Sequence, residues 1–180
     1  MARLLPPDTD AMNEHQRIVY DAIASGPRKG VRGPLGIWLW RSQLAERAQS
    51  LGQYCRYDSS LPARLSELAI LVTARHWSSE YEWQAHRKIA LEAGLSPQIV
   101  ESIRVGSKPV IEADDERVVY EFASVLLNTR RVDSQTYRHA LAVLGRDSLV
   151  DLVGVLGYYG LISMTINAFE VDSNGPAELA

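Results

Sequence analysis

The chain's most reactive side chains fall in one stretch, RLSELAILVTARHWSSEYEWQAHRKIALEAG, at residues 64–94. Glu82 and His86 stand four apart, which puts both on one face of a helix. Ser79 precedes them on that face, and Glu67 belongs to the preceding helix, which a turn at His76–Ser79 would fold back alongside. An imidazole titrates near neutral pH, and a neighbouring carboxylate raises its pKa. The set therefore suits general acid/base catalysis, with His86 carrying the proton and Glu82 or Glu67 orienting it. Two carboxylates and an imidazole also make a credible set for a divalent metal. Plainer roles stand beside these. Ser79 and Glu82 have the spacing of a helix capping box. Glu67 could pair with Arg64 one turn earlier, and His86 could be a hydrogen-bonded core residue. Tyr81 and Trp83, with Trp77, Trp38 and Trp40, suit either an apolar pocket or the core. Arg75 or Arg56 could hold a substrate carboxylate through a bidentate contact.

The elements that must position this set read as helices. Apolar residues recur at helical spacing over 11–25, and GPRKGVRGPLG at 26–36 is a loop. Helix resumes from Ile37 to Leu51. Ser60 and Pro62 predict the start of a helix that runs through LPARLSELAILVTARHW. Further helices are expected from Ser79 to Ala93, from Ser96 to about Val105, and over 114–131, 134–144 and 147–170. Alternating strand-like runs are nearly absent, so the expected class is all-α. We expect one domain over 1–180, with helices at 11–52, a motif core at 62–94 and helices at 114–170. The closing VDSNGPAELA reads as a mobile tail.

Composition narrows the function. The chain has 180 residues, a net charge of −3, 46% hydrophobic and 23% charged residues, ordinary values for a soluble protein. No cluster of Lys or Arg is available to neutralise phosphates, so a nucleic-acid partner is not expected. Cys55 is the single cysteine, which excludes an internal disulfide, a Cys-x-x-Cys pair and a thiolate zinc site. The opening MARLLPPDTD lacks a secretory h-region, and a cytoplasmic location is expected. Residues 149–169 are about long enough to span a bilayer, but Asp151 and Asn167 interrupt them. A buried or subunit-interface helix, not a membrane span, is the expectation.

The motif core resembles the carboxymuconolactone decarboxylase and alkylhydroperoxidase-D superfamily. Its peroxidase branch carries a glutamate, a Cys-x-x-Cys pair and a histidine four residues on. In this chain those positions are Glu67, Ser79, Glu82 and His86, so the disulfide chemistry has no cysteines to use. Glu82-Trp83-Gln84-Ala85-His86 is similar instead to the Glu-aromatic-x-x-His pattern of the decarboxylase branch, followed by Ala90-x-x-x-Gly94. The likeness extends over roughly residues 33–170. It implies an alkylhydroperoxidase-D-like helical bundle that assembles as a homo-trimer or hexamer. It also implies a cofactor-independent lyase acting on a small carboxylated, lactone-type ring, with His86, Glu82 and Glu67 catalytic. Ser79, Trp83, Tyr81 and Arg75 are then the expected substrate-binding residues, and no metal or organic cofactor is required. A non-catalytic ligand-binding oligomer, or a metal-dependent lyase or hydrolase on the same scaffold, remains open on the residues alone.

Overall fold

The computed structural model describes residues 2–173 and 175–179. Its helices are α1 (Glu14–Ser25), α2 (Pro34–Trp38), α3 (Ser42–Gln53), α4 (Ala63–His76), α5 (Glu80–Glu92), α6 (Pro97–Arg104), α7 (Asp114–Thr129) and α8 (Ser134–Phe169). No strand occurs among the described residues, so the chain is all-α.

The fold is organised by α4. Every residue from Leu65 to Ala74 is buried. A helix covered on all faces must lie inside its neighbours, and α5, α7 and α8 pack around it. Trp77 ends α4, and Ser78, at φ 48°, turns the chain so that α5 returns along it. Arg64, at the start of α4, pairs with Asp115 and Glu116 in the first turn of α7, not with Glu67. Asn13 and Gln16 close a reciprocal capping box at the head of α1. In α8 the helix breaks at Gly145, whose φ of 77° and ψ of 175° are not helical. Glycine reaches that conformation without the Cβ penalty of other residues, and the break matches the expected division near residues 144–147.

Asp151 explains the charge inside the apolar part of α8. Its carboxylate accepts hydrogen bonds from the Tyr54 hydroxyl (2.7 Å), the Ser60 backbone N–H (2.7 Å) and the Ser60 hydroxyl (2.7 Å). Burial works to raise its pKa, but these hydrogen bonds hold it below the ordinary carboxylate value. Ser60 is thereby committed to α8, and Pro62 occupies the N-cap position of α4 that the sequence assigned to Ser60. Trp38 Nε1 donates to Thr165 Oγ1, and Asn167 Nδ2 donates to the Trp77 carbonyl. The most apolar window of α8 is 67% buried inside the protein.

The tail departs from expectation. Glu178 accepts from Trp83 Nε1 and Arg87, and its carbonyl accepts from Arg104. The Glu80 carboxylate accepts from the N–H groups of Glu178 and Leu179. Asn174 and Ala180 of that segment lie outside the described residues; the rest is tied to α5 and α6, because Glu178 supplies charge where two arginines end.

Replacing Asp151 by Ala removes a buried acceptor shared by three donors, which sit on the exposed residues Tyr54 and Ser60 and can regain water. A hydrogen bond to a charged group contributes about 1.5–3 kcal/mol net. Asp151→Ala is expected to lower the urea-unfolding free energy by at least that amount, while Asn167→Ala, at an exposed position, changes it less.

Candidate functional site

Helical phase on α4 and α5 brings Glu67, Glu82 and His86 together. His86 Nδ1 lies 2.7 Å from Glu67 Oε2, and His86 Nε2 lies 3.3 Å from Glu82 Oε2. All three residues are buried. The Glu67 contact is a well-formed hydrogen bond. The Glu82 oxygen approaches Nε2 without a hydrogen bond of its own, so its lone pairs remain available. Burial pushes the His86 pKa down, but the two carboxylates outweigh it and raise the imidazole from its ordinary 6.5 to about 9. At neutral pH the centre is therefore an imidazolium between two carboxylates. The Tyr159 ring stands edge-on to the imidazole, 5.0 Å away between centroids. Its hydroxyl is buried without a hydrogen-bond partner, and burial raises its pKa well above 10. It is thus a neutral donor.

His86 and Glu82 open onto a cavity of about 410 Å³, which is also lined by Arg28, Arg32, Arg56, Tyr81 and Tyr159. Volumes of this order suit small organic ligands. The three arginines arrive from irregular segments. Arg28 and Arg32 come from the loop before α2, and Arg56 from a π-helical turn, Tyr54–Asp58, between α3 and α4. Arg28 donates to the Tyr158 hydroxyl (3.2 Å), and Arg56 lies over the Tyr57 ring. Among the described residues none of the three forms an ion pair with a carboxylate, so three guanidinium groups line the cavity beside the one carboxylate of Glu82.

Two close approaches fix this wall. A Cβ on Gly33, at φ 55°, would lie 2.6 Å from the Tyr81 ring. A Cβ on Gly52 in α3 would lie 2.0 Å from the Tyr158 hydroxyl and 2.5 Å from Arg28 Nη2.

The other expected binding residues lie elsewhere. Ser79 is the N-cap of α5, but its side chain makes no capping bond; its hydroxyl is buried and unpartnered. The capping box therefore does not form, because the Glu82 carboxylate turns toward His86. Trp83 is fully buried in the core, its Nε1 on Glu178. Arg75 lines a different cavity with Ile103 and Tyr120, since it lies two turns beyond Glu67 on α4. Of Ser79, Trp83, Tyr81 and Arg75, Tyr81 is the one that lines the His86 cavity. Arg56, named from sequence as a possible carboxylate binder, lines it too, whereas Arg28, Arg32 and Tyr159 were not singled out from sequence. The loop's own composition, PRKGVR between turn residues, was the available signal for Arg28 and Arg32. No group of three His, Cys, Asp or Glu side chains among the described residues is disposed to hold a metal ion. Cys55 is buried, and burial pushes its thiol pKa up.

The structure is similar to that of an uncharacterized peroxidase-related protein from Silicibacter sp. TM1040. The TM-score is 0.77 at 13% identity, over 97% of this chain and 92% of the other. At that identity the likeness establishes the fold. No curated protein sequence matches the chain. Residues 42–123 match the model of the carboxymuconolactone decarboxylase family, a span that contains Glu67, Glu82, His86 and Arg56. Over residues 42–123 the chain is thus similar to the carboxymuconolactone decarboxylase family.

Proposed function

We propose that the protein is a cofactor-independent lyase that releases CO₂ from a small carboxylated ring compound of the lactone type. The observation that carries this reading is an imidazole, buried between two glutamate side chains, at the floor of a cavity lined by three guanidinium groups that form no ion pair. The arginines bind the substrate's carboxylate and carbonyl oxygens by charge-assisted hydrogen bonds. The C–C bond to the departing carboxylate breaks, and its electron pair passes into the conjugated ring as a dienolate. Arginine and the Tyr159 hydroxyl stabilise the developing oxyanion. His86 then delivers the proton from Nε2 to carbon, and it regains one from solvent after CO₂ leaves. Glu67 acts through His86: its bond to Nδ1 fixes the ring with Nε2 toward the cavity. Glu82 keeps the proton on that nitrogen.

The pH dependence follows from the sign of the shift. A raised pKa keeps the acid form populated through neutrality, so the rate is expected to hold to pH ~8 and fall through about 9. Stability follows the same group. The native state holds a proton that the unfolded chain releases near 6.5, so this contribution is complete below 6.5 and lost between 6.5 and about 9. His86→Ala would strand two buried carboxylates at a cost of about 3–5 kcal/mol, so His86→Gln is the better test. On a panel of carboxylated lactones, followed by CO₂ release, it is expected to lose about 10²–10⁴-fold in kcat while melting as a folded protein. Glu67→Gln should retain more activity and move the alkaline limb of the rate profile downward. A folded His86→Gln within threefold of the parent would show that His86 is not the proton donor.

Ser79 and Glu82 stand at the positions of the superfamily's reactive cysteines, and Cys55 is buried with a raised pKa. Hydroperoxide turnover with thiol reductants is expected to stay at the background rate, unchanged by Cys55→Ser. The protein also acts, on this reading, in the cytoplasm as a homo-trimer or hexamer. Val150, Val153 and Met164 form an exposed apolar stripe along α8, of the kind that subunits bury. Light scattering at micromolar concentration should report a multiple of the 20.1 kDa chain mass, and Val153→Glu should lower it.

A further inference from the structure

Arg75 carries an observation that the His86 chemistry does not use. Its guanidinium makes no hydrogen bond or ion pair among the described residues, and its Nε is buried without a partner. The residue as a whole is only partly buried, but its Nε has lost water without gaining an acceptor, which is unfavourable unless something else supplies one. It faces a cavity of about 230 Å³, whose wall combines the apolar Val72, Ile103 and Leu127 with the polar His76, Tyr120, Ser124 and Asn128. No carboxylate lies in that wall. A glycine sits where the guanidinium passes: a Cβ on Gly106 would lie 2.8 Å from Arg75 Nη2. The cavity shares no lining residue with the one at His86. Arg75 also lies eight positions beyond Glu67, roughly 12 Å along α4 at the helical rise.

We propose that this cavity is a second binding site, for a small organic monocarboxylate with an apolar body. The guanidinium supplies a bidentate anion contact. Val72, Ile103 and Leu127 cover an apolar body, and the hydroxyl and amide groups of Tyr120, Ser124 and Asn128 meet a polar edge. The volume equals about eight waters at ~30 Å³ each, which admits a benzoate-sized molecule. This site stands whether or not His86 is a catalyst.

The test uses benzoate, with benzamide as its neutral isostere and chloride as a plain anion, in titration calorimetry and thermal melts of the full chain. Benzoate is expected to bind the parent and His86→Gln alike and to raise their melting temperatures, whereas benzamide and chloride at the same concentration do neither. Arg75→Gln should weaken benzoate more than tenfold without losing its own fold. Ser124→Leu, which fills the cavity and leaves Arg75 in place, should do the same. Benzoate binding that survives in both variants and is lost in Arg56→Gln would place the ligand in the His86 cavity and overturn the proposal. Equal binding of benzamide or chloride would overturn it too, as would an absence of benzoate binding to the parent.

Discussion

A carboxylate on the one helix that is covered on every side sets the terms for the rest of this protein. Glu67 is 4% exposed, within ten consecutive buried residues of α4. An isolated ionised group there would cost far more than a domain of this size can offset. The His86 imidazole, 2.7 Å away, answers it. That answer requires α5 to run back along α4 in one register, which the turn at Trp77–Ser79 enforces. It also requires the imidazole to hold its proton, which a second carboxylate at 3.3 Å secures. A buried ion pair of this kind is a weak source of stability when set against an apolar replacement of similar volume. Its retention on a helix whose other buried residues are almost all apolar suits a proton that is put to use.

Charge balance divides the protein into an interior and a rim. The interior of the site holds one positive group between two carboxylates. The rim holds Arg28, Arg32 and Arg56, which form no ion pair among the described residues, and the neutral Tyr159 hydroxyl. An anionic ligand arriving at the rim completes the balance, and the cavity then excludes the water that would weaken these contacts. The ligand's charge and the proton's location are therefore coupled through a few ångströms of low-dielectric space.

The helices were legible because their apolar residues recur at helical spacing and their ends carry Pro, Gly and Asx signals. The division of α8 was legible for the same reason, through Gly145. The convergence of Glu67, Glu82 and His86 could be read from phase and turn length. Other features depend on tertiary partners that no local pattern encodes. Ser79 and Glu82 have the spacing of a capping box, yet Glu82 turns to His86 because a buried imidazolium attracts a carboxylate more strongly than a backbone N–H does. Ser60 looks like the cap of α4 but is held by Asp151 on α8. Arg28, Arg32 and Arg56 lie in a loop and a π turn, where no periodicity aims a side chain. Glu178 docks a segment whose composition alone reads as mobile.

Gly52 has a bearing on how such a protein can change over generations. It occupies the interior of α3, where glycine costs about 1 kcal/mol relative to alanine, so drift at an unconstrained site would favour replacement. Here the absent methyl is filled by the Tyr158 hydroxyl and the Arg28 guanidinium. A larger residue at 52 becomes tolerable only once the Tyr158 ring, whose Cζ lies 2.2 Å from that point, and the Arg28 guanidinium have both moved away, and that shift takes Arg28 from its place at the rim of the cavity. Positions 28, 52 and 158, far apart in the chain, are thus bound to a shared substitution history. A relative that departs from Gly52 should also have altered how it holds its ligand.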